Sequence, residues 1–84
     1  MIYTDGIHMV ADSLQELHEF AQSLGVKKCW FEGVRKGHPH YDLAKVVRGK
    51  VVRDTEKVRK AMEAGAIKIS SKELLLKSKS LKTW

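Results

Sequence analysis

Eighty-four residues, 43% of them hydrophobic and 31% charged, with a single cysteine and a net charge of +6, describe one ordinary folded domain over residues 1–84. A second core does not fit this length, the apolar content excludes a disordered chain, and the lone Cys29 excludes an internal disulfide. No apolar run reaches the length of a membrane span and no signal-peptide pattern follows Met1, so the expectation is a cytoplasmic protein with no membrane partner.

The chain opens on a short strand, "MIYT", ended by the turn signal Asp5-Gly6. Ile7 to Val10 can continue in extended form. Ser13-Leu14-Gln15-Glu16 is a capping-box pattern, and Leu14, Leu17, Ala21 and Leu24 then recur at helical spacing up to the stop at Gly25. The second strand is expected in Val26 to Gly33, with Cys29, Trp30 and Phe31 as a short buried run. A loop follows from Gly33 to His40, in which Pro39 confines His38 to extended backbone. "HYDL" stays extended. Two Val-Val pairs around Gly49 suit a small hairpin at 46–52, or alternatively a loop leading into the next helix.

Asp54 or Thr55 caps a second helix with Val58, Ala61 and Met62 as its apolar stripe and Gly65 as its stop. "AIKIS" reads as a third strand, and Ser70-Ser71-Lys72-Glu73 opens a third helix through Leu74, Leu75 and Leu76. Residues 77–84 fray unless Leu81 and Trp84 dock. Strands alternating with helices predict an α/β domain: a small three-stranded, mainly parallel sheet with about three helices and an extra hairpin.

In such sheets ligands gather beyond the carboxyl ends of the strands. Asp5 and His8 follow the first predicted strand, Glu32, Arg35, His38, His40 and Asp42 follow the second, and Ser70 and Ser71 follow the third at a helix start. If "HPHYD" is extended, His38, His40 and Asp42 share a face, a ligand set suited to zinc, manganese or iron. His40 with Asp42, and His8 opposite, could equally serve as general base and orienter. Asp5, His18, Arg35, His38, Ser70 and Ser71 are the candidate ligand contacts; free N–H groups at a helix start favour phosphate. His18 at the edge of the first helix's stripe also reads as packing, and Ser70 also reads as a cap. Arg48, Lys50 and Arg53 form a basic segment able to track nucleic-acid phosphates or meet a partner protein.

The order of fragments resembles a family of small bacterial and phage proteins grouped as domain of unknown function 4031. They are His8-Met9-Val10-Ala11-Asp12-Ser13, Glu16-Leu17-His18-Glu19-Phe20-Ala21, Trp30-Phe31, His40-Tyr41-Asp42, and Ala61 through Gly65-Ala66 to Ser70-Ser71-Lys72-Glu73-Leu74. The resemblance implies a bacterial or phage origin and carries no activity with it. It singles out His8, Asp12, His18, His40 and Asp42 as recurring polar positions, which suggests a pocket. The chain departs from the family pattern in a shorter link before His8 and in the Lys45 to Arg53 segment, which looks inserted.

Two functional expectations follow. One is a His/Asp-lined pocket for a phosphorylated small molecule such as a nucleotide, or for a divalent metal, with hydrolytic activity. The other is a non-catalytic basic module, a phage accessory protein that targets a host protein or nucleic acid; the net charge of +6 favours an anionic partner in either case.

Overall fold

One short turn decides the architecture. Asp5 Oδ1 accepts hydrogen bonds from the backbone N–H groups of Ile7 (2.9 Å) and His8 (2.8 Å), and Gly6 takes a φ of 97° that glycine adopts without strain. The chain therefore doubles back. In the computed structural model, which describes residues 1–33, 35 and 37–81, β1 (Ile2–Thr4) pairs antiparallel with β2 (His8–Ala11). There follow α1 (Leu14–Leu24), β3 (Phe31–Glu32), β4 (His40–Asp42), β5 (Ala44–Val47), β6 (Lys50–Arg53), α2 (Thr55–Glu63), β7 (Ile67–Lys68) and α3 (Ser71–Ser80). The main sheet has the order β3-β4-β2-β1-β7, and β5 and β6 form a separate hairpin.

The expected three-stranded, mainly parallel sheet is not what forms. The main sheet has five strands; its β1–β7 pair is parallel, and the β1–β2, β2–β4 and β3–β4 pairs are antiparallel. The strand–helix alternation of the sequence conceals β2 and β4, which are four and three residues long and acquire strand character by pairing with each other and with β1 and β3 on either side. The expected second strand shrinks to Phe31–Glu32, because Lys28–Trp30 forms a single 3-10 turn. The buried run expected there is absent: Cys29 is exposed, and Trp30 and Phe31 are half-buried.

The helices begin and end on the signals their residues carry. Ser13 accepts from the Glu16 N–H, Asp54 from Lys57 and Ser70 from Glu73, each satisfying a first-turn donor, and Gly25 closes α1 in the left-handed region at φ 80°. α3 extends to Ser80 and Leu81 is buried; Trp84, whose docking the sequence leaves open, lies outside the described residues.

Alternation along the strands separates two faces. Met9, Tyr41 and Phe31 are mutual partners across β2, β4 and β3 and face α1, where the His18 imidazole lies against both aromatic rings. Met9, Leu17 and Tyr41 are almost wholly buried, and each such side chain contributes about 1.5–3 kcal/mol. The opposite face receives α3, with Lys77 over the Tyr3 ring and Ser78 donating to the Pro39 carbonyl at 2.6 Å. Among the described residues no helix is long and apolar enough to cross a membrane.

Candidate functional site

Register brings the polar groups together. His8 sits directly opposite Asp42 across β2 and β4, and Glu32 opposite His40 across β3 and β4. His40 and Asp42 are two residues apart on one strand, so all four side chains share the face that α3 covers. One ligand atom each from His8, His40 and Asp42 falls within a span of 4.8 Å, a spacing that one metal ion can bridge.

The hydrogen bonds around this cluster fix which atoms face inward. His40 Nδ1 lies 2.7 Å from the His38 carbonyl, which can only accept, so Nδ1 carries the proton and Nε2 of the neutral ring is a bare lone pair. His8 Nδ1 donates to Asp5 Oδ2 at 3.0 Å, which leaves its Nε2 bare in the same way. The two Nε2 atoms lie 3.2 Å and 3.7 Å from Asp42 Oδ1. That oxygen is buried and without a hydrogen-bond partner among the described residues; His40 approaches it closely but out of line for a hydrogen bond. Three lone-pair donors therefore converge, each second imidazole nitrogen being anchored by a carbonyl or carboxylate, the usual outer support of metal-bound histidines.

Asp5 is the anchor on one side. Burial pushes its carboxyl upward, but hydrogen bonds from the His8 backbone, the His8 ring, the Ile7 backbone and the Ser71 hydroxyl outweigh that and hold it at about 2. It stays ionised and keeps His8 in one tautomer. Gly33 is the anchor on the other side. It adopts φ 84°, and its carbonyl accepts from the His38 N–H at 3.0 Å. A Cβ there would run into the His38 carbonyl and lie 2.8 Å from His38 Nδ1. Only glycine lets the loop present that carbonyl to His40.

Glu32 extends the cluster. A proton shared with Asp42, together with burial, holds the Glu32 carboxyl above the usual carboxylate range, while His40 and His8 pull it the other way. The sequence puts Glu32 among the polar residues after the second predicted strand, but its pairing opposite His40 depends on β3 meeting β4. A cavity of about 230 Å³ opens beside the imidazoles, lined by Asp5, His8, His38 and His40 on the sheet side and by Ser71, Leu74, Leu75 and Ser78 of α3.

The other candidates fall in distinct places. His38 contributes its backbone carbonyl, and its ring stacks on His40 at 5.5 Å; His8 takes the place in the ligand set that the extended "HPHYD" reading gives to His38. His18 is on the opposite face, with Nδ1 2.7 Å from the Tyr41 hydroxyl. Ser71 donates to Asp5 at 2.8 Å and so belongs to the cluster's support, whereas Ser70 is occupied as the α3 cap with Glu73. Arg35 is exposed in the loop after β3. Arg48, Lys50 and Arg53 lie on the separate hairpin.

No curated protein and no solved structure matches the chain. The family model described as Protein of unknown function (DUF4031) matches residues 4–80, a span that includes every residue of the cluster, and the chain belongs to that family.

Proposed function

We propose that the chain binds one divalent cation through His8 Nε2, His40 Nε2 and an Asp42 oxygen, and uses it to hold the phosphate of a small phosphorylated compound such as a nucleotide in the adjoining cavity. The single observation that carries this reading is the buried Asp42 Oδ1 without a hydrogen bond, faced by two imidazole nitrogens whose partners leave them bare. One cation satisfies all three atoms at once. Two imidazoles with a carboxylate suit zinc, manganese or iron. The ion would supply charge to a phosphate oxygen and, with a water beside it, the means to hydrolyse the phosphoester. Leu74 and Leu75 form the apolar wall for the rest of the ligand. The same reading puts the protein in the cytoplasm, where reducing conditions suit the exposed, unpaired Cys29.

The test is calorimetric titration of the chelated protein with zinc and manganese, beside His40→Ala and Asp42→Asn. One ion per chain is expected, weakened by on the order of a hundredfold or more in either variant, since each removes or neutralises a direct ligand. A nucleotide should raise the melting temperature only with metal present. No ion uptake, or equal uptake by both variants, would sink the reading.

A further inference from the structure

The hairpin β5–β6 takes no part in the cluster, yet its make-up calls for a partner. From Leu43 to Arg53 the chain carries four cations, Lys45, Arg48, Lys50 and Arg53, and no acid. Among the described residues none of the four forms an ion pair, while Arg59 and Lys60 on the next helix pair with Glu63 and Glu56. The pairing Val46↔Val51 and Lys45↔Val52 puts two valines on each face, alternating with the charges. Neither face is covered: Val46 and Val51 on one are 59% and 67% exposed, and Val47 and Val52 on the other 43% and 39%. An isolated two-stranded hairpin with apolar side chains on both faces is a marginal structure in water.

The tip adds a second oddity. Arg48 and Gly49 make the two-residue turn with φ of 52° and 78°. Asparagine or aspartate suits the first position of such a turn, and arginine in the left-handed region is disfavoured. A cation thus stands at the most projecting point of the arm, where backbone preference argues against it.

Charge and shape together choose the partner. An acid-free ribbon with unpaired cations on both faces complements a polyanion. A two-stranded ribbon fits the major groove of B-form DNA, where valines can meet thymine methyls and the cations can reach phosphates, whereas the major groove of an RNA duplex is too narrow. The root of the arm is mixed in charge: a groove of about 490 Å³ there carries Lys27, Lys45 and Lys57 beside Trp30, together with Asp42 and Asp54. On the other side the Arg53 guanidinium and the Lys68 side chain converge on the Gly6 turn; a Cβ built there would meet them at 3.9 Å and 3.7 Å.

We propose that β5–β6 is a DNA-binding ribbon that enters the major groove of duplex DNA, with Arg48 at its leading edge and Lys45, Lys50 and Arg53 against the phosphates. The binding is independent of the metal cluster. Fluorescence anisotropy with a labelled DNA duplex, and with an RNA duplex of the same sequence, tests it across a salt series. The wild-type chain should bind the DNA duplex more tightly than the RNA duplex, and affinity should fall with salt on a log–log slope of about −3, as expected for three phosphate contacts. Arg48→Glu/Lys50→Glu should weaken binding at least tenfold with an unchanged melting temperature. Chelated wild type and His40→Ala should both keep it, so failure of the metal reading leaves this one standing. The proposal is overturned by no DNA binding at low salt, by equal affinity for the RNA duplex, or by full binding in the charge-reversal variant. Capture of a protein from bacterial lysate by wild type but not by that variant, without DNA affinity, also overturns it and assigns the arm to a protein.

Discussion

The metal-type cluster and the β5–β6 hairpin are separated in the chain by Leu43 alone, and they are built on opposite principles. The cluster draws Asp5, His8, Glu32, His40, Asp42 and Ser71 from strands, a turn and a helix start, and its imidazoles are oriented by second hydrogen bonds. The hairpin pairs only with itself and leaves its valines to solvent. The cluster gives up solvation of polar groups for geometry, as a site must if it is to hold one small ion. The hairpin keeps its groups solvated and accessible, as suits a surface whose partner is large. Nearest neighbours in sequence can therefore differ most in the free energy that holds them in place.

Substituting Gly33 strikes the site end hardest. Gly33→Ala forces a side chain into a backbone of φ 84° and against the His38 carbonyl. We expect it to cost about 1–2 kcal/mol of stability from the left-handed backbone alone, and to lower metal affinity by about ten- to a hundredfold by freeing His40. Denaturant melts and metal titration read the two effects; a variant with wild-type metal affinity would show that the His38 carbonyl does not orient His40.

Acid separates the two regions next. Asp5 is held from 3.8 down to about 2 in the folded chain. Its folded value is depressed, so its contribution is fully present above about pH 4 and is lost as pH falls towards 2. The shift corresponds to about 2 kcal/mol. Chelated wild type should lose that much between those limits, and Asp5→Asn should start lower and fall less steeply. Urea melts at several pH values check it; parallel curves would mean that the turn does not hold the carboxylate as drawn.

The smallest change belongs to the arm. Arg48→Asn relieves the left-handed arginine at φ 52° and should raise stability by about 0.5 kcal/mol while leaving metal affinity untouched. The same variant should bind duplex DNA more weakly, so stability and binding move in opposite directions. A loss of stability would show that the arginine is stabilised by something other than the turn.

The three helices are legible in the chain because their causes are local: Ser13, Asp54 and Ser70 cap them, and apolar periodicity selects the buried stripe of α1. The hairpin is legible for the same reason, since the valine pairs and Gly49 lie within a few residues of their partners. His40 and Asp42 can be placed on one face from spacing alone. The rest of the site cannot. His8 and Glu32 enter through strand register, and register is set by which of several short extended segments pair, a choice made by the whole core.

The sheet shows where local reading stops. Strands of three or four residues carry too little pattern to announce their neighbours, and the Asp5-Gly6 turn can end a strand or reverse it with equal local plausibility. Composition, caps and hydropathy by themselves determined a small α/β chain with three helices, a basic arm and a histidine-rich loop. Tertiary structure alone decided that β2 turns back on β1, that β4 inserts between β2 and β3, and so that His8, His40 and Asp42 meet. The physical reason is range: a cap or a turn is satisfied within one loop of chain, whereas a sheet edge is satisfied only by a partner strand that folding brings from elsewhere.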